Sequence, residues 1–168
     1  MFFHSLKANG KTIEFLLPGM ISADAVKKLR AKTGASVLDC KKALEESAGE
    51  EQKALEILSR RGADIAAKKA ERQIKAGLID SYIHTNQKIG AMLELGCETD
   101  FVARNENFKS LAHELCLQIS AADPQSVDEL LAQPSIKNPE RTVQNLINEA
   151  IAKLGENIKI GKFIRFEI

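Results

Sequence analysis

The sequence predicts an α+β protein, with an N-terminal bundle of three short helices before a core of three antiparallel strands covered by helices. Two observations lead to this prediction. Apolar residues recur with helical spacing up to about residue 63, and with the period of two typical of strands after Gly77. Helical patterns then return before a last alternating segment, the order expected for helices packed on one face of an antiparallel sheet.

Composition limits the classes of protein to which the chain can belong. It has 168 residues, 44% apolar and 28% charged, with a formal net charge of +1. This near-neutral balance argues against binding to nucleic acid through phosphates, and no apolar run approaches the roughly 20 residues that a membrane span needs. Cys40, Cys97 and Cys116 lack Cys-x-x-Cys spacing, which favours a reducing compartment. We expect a cytoplasmic protein without a direct nucleic-acid or membrane partner.

Glycines and changes of period divide the chain into four parts. Residues 1–19 contain no Arg and no apolar core of a signal peptide, and we interpret them as an extension of uncertain status. Residues 20–63 form the predicted three-helix domain, near the lower size limit for independent folding. Residues 64–76 are rich in helix formers and are predicted to be a partly helical linker. Residues 77–168 form the predicted α+β core.

Capping signals delimit the helices of the N-terminal domain. Ser22 is placed to cap the first helix and Gly34 to end it. Ser36, with Asp39 three residues later, has the spacing of a capping box and opens the second helix. Gly62 is the predicted end of the third. The predicted inner faces contain Val26 and Leu29, then Val37, Cys40, Ala43 and Leu44, and then Ala54, Leu55 and Leu58.

The core begins with a predicted hairpin, in which residues 78–85 and 88–97 alternate and Asn86-Gln87 joins them. An amphipathic helix follows. Pro139, after Asn138, is placed as the first residue of a second helix, which Gly155 ends. The second strand is predicted to bury Ile89, Ala91, Leu93, Leu95 and Cys97, and the two helices Phe108, Leu111, Ala112, Leu115 and Ile119, then Val143, Leu146, Ile147, Ala150, Ile151 and Leu154. The terminal strand is predicted from the alternation of Ile158, Ile160, Ile164, Phe166 and Ile168, with Phe163 on its other face.

No arrangement of residues indicates an enzyme or a metal site. Residues 155–162 differ from a phosphate-binding loop in their glycine spacing, and no Ser or Thr follows Lys162. His113 and Cys116 are three residues apart, but no second pair has ligand spacing. A Cys paired with His84 or His113 would need an orienting group and an oxyanion site that no motif marks. We expect no catalytic residue, no metal and no cofactor.

Leu38 is apolar where the second helix is otherwise polar, since it shares a face with Lys41 and Glu45. It is either a contact for a partner or a cover for the preceding turn. Lys27 and Arg30 lie three residues apart on the first helix. They either border the same surface or are ordinary solvated charges.

Phe101 directly follows the predicted hairpin. Because it precedes Phe108 by seven residues, it can belong to the same buried stripe, with Asp100 capping a helical turn. Its position favours another interpretation, since a large ring just beyond a rigid hairpin is well placed to insert into another protein. Periodicity leaves both interpretations open.

Four segments of the chain, in this order, resemble the motifs of the bacterial translation elongation factor Ts family, in its short form. The resemblance extends from about Ile21 to Ile168. The segments are Leu29-Arg30 with Thr33-Gly34, then Asp39-Cys40-Lys41-Lys42-Ala43-Leu44, then Cys97-Glu98-Thr99-Asp100-Phe101-Val102-Ala103, and then Gly155-Glu156-Asn157.

The resemblance implies a guanine-nucleotide exchange factor for the GTPase elongation factor Tu, not an enzyme, with a three-helix domain like the ubiquitin-associated fold. Phe101 would enter between helices of the partner's nucleotide-binding domain and disturb its magnesium and phosphate site, which promotes GDP release. Val37 and Leu38 stand where many members have two methionines, so the contact would be apolar but stiffer. The implied contact residues are Lys27, Arg30, Val37, Leu38, Asp100, Phe101, Leu154 and Gly155.

The resemblance also implies a second copy of the chain. Longer members have a second core subdomain, a coiled-coil excursion and a C-terminal module, which this sequence lacks, and short members pair two copies instead. The terminal strand offers an edge for such pairing, and no cysteine lies near it in sequence. We expect a non-covalent homodimer.

A second function class remains open at the level of sequence. The chain can be a non-catalytic binding module that recognises ubiquitin-like or nascent chains through Leu38, carried on an inert α+β core. This alternative explains Leu38 but gives residues 99–105 no role.

Overall fold

The computed structural model describes residues 6–8, 11–13 and 21–168, so the predicted extension over residues 1–19 lies largely outside the described residues. Two short strands, β1 (Leu6–Ala8) and β2 (Lys11–Ile13), pair in antiparallel orientation. The chain divides into two compact units, Met1–Leu58 and Ser59–Ile168.

The first unit contains α1 (Ala23–Thr33), α2 (Val37–Glu46) and the start of α3 (Glu51–Lys69). The predicted caps are confirmed. Ser22 Oγ accepts a hydrogen bond from the Ala25 amide at 3.1 Å, and Gly34 ends α1 in the left-handed region at φ 67°. Ser36 Oγ accepts one from the Asp39 amide at 3.1 Å. Local hydrogen bonds therefore fix where these helices begin and end.

The core of this unit is small, and one predicted member is missing from it. Val37 is 53% exposed, so its prediction as an inner-face residue is wrong. It is the first residue of α2, and the buried stripe begins one turn later, where the helix meets its neighbours. The buried apolar residues are Val26, Leu29, Cys40, Ala43, Leu44 and Ala54.

Helix α3 does not stop at Gly62, which corrects the sequence prediction. The helix continues to Lys69, so residues 64–69 of the predicted linker are helical, and Ala66 is buried in the core of the second unit. Glycine within a helix costs only about 1 kcal/mol relative to alanine, so a single glycine does not have to end a helix. A Cβ on buried Gly62 would lie 3.7 Å from the Asn148 carbonyl oxygen, an ordinary contact, so the space at this position does not require glycine.

The second unit is built on an antiparallel sheet of β3 (Ala76–Ile83), β4 (Ile89–Cys97) and β5 (Lys159–Glu167), with β4 in the centre. The predicted hairpin is confirmed. Gln87 adopts φ 58° in its turn, and Asn86 Oδ1 accepts a hydrogen bond from the Lys88 amide at 2.9 Å.

The terminal strand is present, but its residues divide between the two faces differently from the simple alternation predicted. Phe163 pairs with Leu93 and Ile160 with Leu95, and an irregularity lies between these pairs. Both Ile160 and Phe163 therefore pack against the helix-covered core. Between these two pairs β5 has one residue more than β4, so the side chains after it point to the face opposite to the one that simple alternation predicts. Ile164 and Phe166 are therefore exposed on the face away from the core.

Four helices accompany the sheet: α4 (Asp100–Ala103), α5 (Glu106–Ala122), α6 (Val127–Ala132) and α7 (Val143–Leu154). Helix α6 is not predicted by the sequence analysis. The last helix begins at Val143 and not at Asn138-Pro139, because Thr142 caps it by accepting a hydrogen bond from the Asn145 amide at 3.3 Å. Pro139 lies in a turn that the Arg141 amide closes by donating to the Asn138 carbonyl.

The core of the second unit lies between the sheet and α5 and α7, which confirms the predicted α+β class. It contains the predicted inward residues of β4, α5 and α7 except Ile89, which is half-buried at the start of β4 and lies outside this cluster. Among the residues that the structure describes, no helix is both long and apolar enough to cross a membrane. The fully buried side chains include Leu93, Leu95, Cys97, Phe108, Leu115, Cys116, Ile119, Leu130 and Val143.

Candidate partner-binding site

Helix α4 presents Phe101 to solvent. The ring is 89% exposed, whereas the next two residues, Val102 and Ala103, are buried in the core. The interpretation of Phe101 as part of the stripe of Phe108 is therefore wrong. That stripe starts within α5, and a turn at residues 104–105 separates it from α4, so a spacing of seven does not place both rings on one face.

The N-terminus of α4 is held by a carboxylate from a distant segment. Glu156 Oε2 accepts hydrogen bonds from the amides of Glu98 and Thr99, each at 3.0 Å. Its other oxygen accepts one from the Thr99 hydroxyl at 2.6 Å. Thr99 occupies the N-cap position of α4, but its side chain makes no capping bond to the helix. Glu156 therefore orients the residues immediately before Asp100 and Phe101.

A second glutamate makes the reciprocal contact. Glu98 Oε1 accepts a hydrogen bond from the Asn157 amide at 2.6 Å and lies 3.6 Å from Arg72 Nη1. The buried Asn157 side chain donates to the carbonyls of Arg72 and Ala70, at 2.9 and 3.3 Å. Three segments distant in sequence, after α3, after β4 and after α7, are thus joined by hydrogen bonds.

Leu154 and Gly155, the other predicted contact residues of the second unit, lie where α7 ends. Leu154 is half-buried against the core. Gly155 adopts φ 79° and donates its amide to the Ile151 carbonyl at 2.9 Å, and its own carbonyl accepts a hydrogen bond from Lys69 Nζ at 2.5 Å. A side chain at this position would be strained by the positive φ. The structure brings this segment to the start of α4 through Glu156.

The predicted contact residues of the first unit lie on α1 and α2. Leu38 is 60% exposed and Val37 is beside it, at the start of α2. Lys27 and Arg30 are exposed on α1. Lys27 lies 3.7 Å from Asp24 in a solvent-exposed pair, an arrangement that contributes little to stability.

The thiol beside α4 is placed as a structural group. Cys97 is buried and donates its S–H to the Thr99 carbonyl at 3.2 Å. Burial raises the pKa of Cys97, and the carboxylate of Glu156 contributes in the same direction. The thiol is neutral at pH 7 and is therefore a poor nucleophile. Within the described part of the chain, no group of three or more His, Cys, Asp and Glu side chains is arranged to hold a metal.

Sequence analysis did not assign the roles of Glu98, Thr99, Glu156 and Asn157. All four belong to the motifs quoted above, so the signal was present as residue identity. What the sequence does not contain is the pairing, since Thr99 and Glu156 are 57 residues apart.

Comparisons with known proteins agree with the motifs. The sequence model of the family described as "Elongation factor TS" matches residues 98–168. A protein named "Elongation factor Ts" from a Thermoanaerobacter species is 42% identical, over 88% of this chain and 95% of its own length. One of the same name from Thermodesulfovibrio yellowstonii is also 42% identical, over 88% and 96%. Another from a Nostoc species is 47% identical, over 88% of this chain and 47% of its own length.

The Thermoanaerobacter and Thermodesulfovibrio relatives are the shorter ones, and they contain internal residues that have no counterpart in this chain. Their alignments extend over 193 and 192 positions, more than the 168 residues present here, whereas the Nostoc alignment extends over 148. Identity above 40% that covers nearly the whole of both shorter relatives is decisive. This chain belongs to the elongation factor Ts family.

Proposed function

We propose that this chain acts in translation elongation as a guanine-nucleotide exchange factor for elongation factor Tu. In this proposal Phe101 inserts between helices of the GTPase domain, next to Asp100, and disturbs the magnesium and phosphate site so that GDP leaves. The chain performs no chemistry on a substrate. The proposal places it in the cytoplasm.

The single observation that carries the proposal is the orientation of α4. Two of its four residues are buried in this chain's own core, and its aromatic ring projects into solvent. A large apolar ring on a fixed backbone suits an insertion site, because little conformational freedom is lost when it is buried.

The free energy available from burying the Phe101 ring is consistent with nucleotide exchange. Burying a Phe side chain stabilises a complex by about 1.5–3 kcal/mol, which corresponds to roughly 10- to 150-fold in affinity. If the pocket for the ring exists only in the nucleotide-free partner, linkage requires that this energy weakens GDP binding by the same factor. A ring that binds both states equally would shift nothing.

The test is release of a fluorescent GDP analogue from purified elongation factor Tu. We expect wild-type chain to accelerate release, Phe101→Ala to lose about 10- to 100-fold of that acceleration in line with the burial energy, and Phe101→Leu to lie between. Ile136→Ala, at an exposed apolar position of the same unit, is the control. Acceleration by Phe101→Ala equal to wild type would remove Phe101 from the mechanism.

We assign a supporting role to the first unit, which we propose to be a domain like the ubiquitin-associated fold. Leu38 and Val37 offer an exposed apolar contact on α2, and Lys27 and Arg30 offer charges on α1. This assignment also separates exchange from a plain binding module. Only an exchange factor captures a stoichiometric GTPase from a lysate and releases it when GDP is added.

We also propose that the chain forms a non-covalent homodimer. The sheet face away from the helices supports this, because its exposed side chains are largely apolar: Ile79, Ile83, Met92, Ile164 and Phe166. Met92 pairs with Ile164, and Gly90 pairs with both Ile83 and Phe166, so these apolar side chains adjoin across the sheet, whereas Ile79 pairs with Glu94 at one end of the face. A symmetric dimer requires such a self-complementary patch. This surface lies on the face opposite Phe163, and the edge of β5, at the side of the sheet, stays a second predicted site of pairing.

Sedimentation equilibrium tests the dimer. We expect a dimer mass for the wild-type chain at micromolar concentration and a monomer mass for Met92→Lys, since a charge at the centre of the face would be desolvated on association. Ile136→Lys is the matched control and should remain dimeric. A wild-type monomer mass would contradict the proposal.

A further inference from the structure

We infer that Glu156 is a positioning residue for Phe101, which it controls through the backbone of residues 98 and 99. The inference rests on the proposed exchange function and names a residue that is not among the implied partner contacts. The observation behind it is the set of three hydrogen bonds from Glu98 and Thr99 to one carboxylate.

Helix α4 is too short to fix its own orientation. It has four residues, and helices of this length are not stable by their own hydrogen bonds. The helical bonds at its end run from the Ala103 amide to the Thr99 carbonyl and from the Arg104 amide to the Asp100 carbonyl, each at 3.1 Å. These bonds close the turn but do not anchor its start to the rest of the fold.

Two contacts anchor α4 at opposite ends. Val102 and Ala103 are buried in the core and hold the C-terminal half. Glu156 holds the residues before the N-terminal half, and it draws the Thr99 hydroxyl away from the usual capping role. Phe101 lies between these anchors, so the direction of its ring depends on both.

Hydrogen bonds from the next residue, Asn157, hold the segment that carries the Glu156 carboxylate. The Asn157 amide donates to Glu98, and the Asn157 side chain donates to carbonyls after α3. Glu98 and Glu156 therefore each bind the backbone beside the other, and neither segment can shift alone. Hydrogen bonds to a charged acceptor are stronger than neutral ones, which makes a carboxylate effective at this position.

The experiment compares Glu156→Ala and Glu156→Gln in the GDP-release assay with full-length chain. Glu156→Gln keeps an oxygen for the two amides, and its NH2 group can donate to the Thr99 hydroxyl oxygen. We expect acceleration of release to fall about 10-fold for Glu156→Ala and less than about 3-fold for Glu156→Gln, in line with the worth of hydrogen bonds to a charged group. Glu114→Ala is the control, because Glu114 is a partly buried glutamate of the same unit paired with Lys137 at 3.3 Å.

A double-mutant cycle separates positioning from general loss of structure. If Glu156 acts through Phe101, the double variant Glu156→Ala with Phe101→Ala should accelerate GDP release as much as Phe101→Ala alone does. A purely structural role predicts that the two losses multiply. Multiplying losses, or equal loss from Glu114→Ala, would overturn the inference.

Amide hydrogen exchange provides a measurement that needs no partner. We expect the amides of Glu98 and Thr99 to exchange at least about 10-fold faster in Glu156→Ala, while those in the centre of α5 keep their protection. Unchanged exchange at both amides would also overturn the inference. If the wild-type chain does not accelerate GDP release from elongation factor Tu, the proposed function fails. The hydrogen-exchange measurement still decides whether Glu156 holds α4.

Discussion

Leu38 and Phe101 occupy the same local position in two different settings. Each is the second residue of a helix, each is a large apolar side chain, and each is mostly exposed. The residues at the N-cap differ in what they do. Ser36 caps α2 through a bond to an amide three residues later, whereas Thr99 directs its hydroxyl to Glu156, 57 residues later.

This difference separates two ways of presenting an apolar side chain. Leu38 is carried by a ten-residue helix with its own cap and its own buried stripe, so local interactions suffice to orient it. Phe101 is carried by four residues whose orientation depends on the rest of the second unit. Changes remote in sequence should therefore affect Phe101 and leave Leu38 unaffected.

The largest expected effect is on the free energy of unfolding, and it distinguishes Phe108 of α5 from Phe101 of α4. Phe108 is fully buried, and Phe108→Ala should lower the free energy of unfolding by about 3–5 kcal/mol. Phe101→Ala should change it by less than about 0.5 kcal/mol. Urea denaturation followed by circular dichroism measures both. A large destabilisation by Phe101→Ala would show that the ring supports the fold.

The corresponding pair in the first unit is Leu44 and Leu38. Leu44 is buried, and Leu44→Ala should destabilise this unit by about 2–5 kcal/mol. Leu38→Ala should leave its stability within about 0.5 kcal/mol and reduce the acceleration of GDP release. Hydrogen exchange in α1 and α2 reports the stability. If Leu38→Ala increases exchange there as much as Leu44→Ala, Leu38 covers the preceding turn and the alternative interpretation from sequence is correct.

Removal of the two N-cap hydroxyls tests the comparison directly. Ser36→Ala should cost about 1 kcal/mol, with faster hydrogen exchange confined to α2. Thr99→Ala should cost a similar amount because it loses a hydrogen bond to a charged group, worth about 1.5–3 kcal/mol before allowance for its exposure. Its effect should extend to residues 155–157. An effect of Thr99→Ala confined to α4 would contradict the long-range anchoring.

The prediction with the smallest effect near pH 7 concerns the ionisation of a buried thiol at alkaline pH. Burial raises the pKa of Cys116, on the inner face of α5, to about 12, and nearby Asp80 contributes. Between pH 9 and 12 the unfolded chain loses this proton while the folded chain keeps it, so the free energy of unfolding should fall as pH rises. Cys116→Ala should show a shallower fall in denaturation midpoint across this range. An identical pH profile in both proteins would contradict the raised pKa.

Much of the fold followed from short-range patterns. Ser22 and Ser36 mark helix starts through bonds to amides within three residues, and alternation along β4 identified its buried face. These signals are readable because the partners are close in sequence. The prediction that Pro139 begins the last helix was wrong. Proline suits both a turn and a first helical position, and the Thr142 cap decided between them.

The sequence by itself determined the α+β class, the caps, most of the core and, through its motifs, the family. Only the tertiary structure decided that α3 continues through Gly62, that an irregularity in β5 turns Ile164 and Phe166 outward, and that Phe101 points into solvent. The physical reason is the same in each case. These features depend on contacts between segments that lie far apart along the chain, and a local pattern contains no information about which distant residue will be the partner.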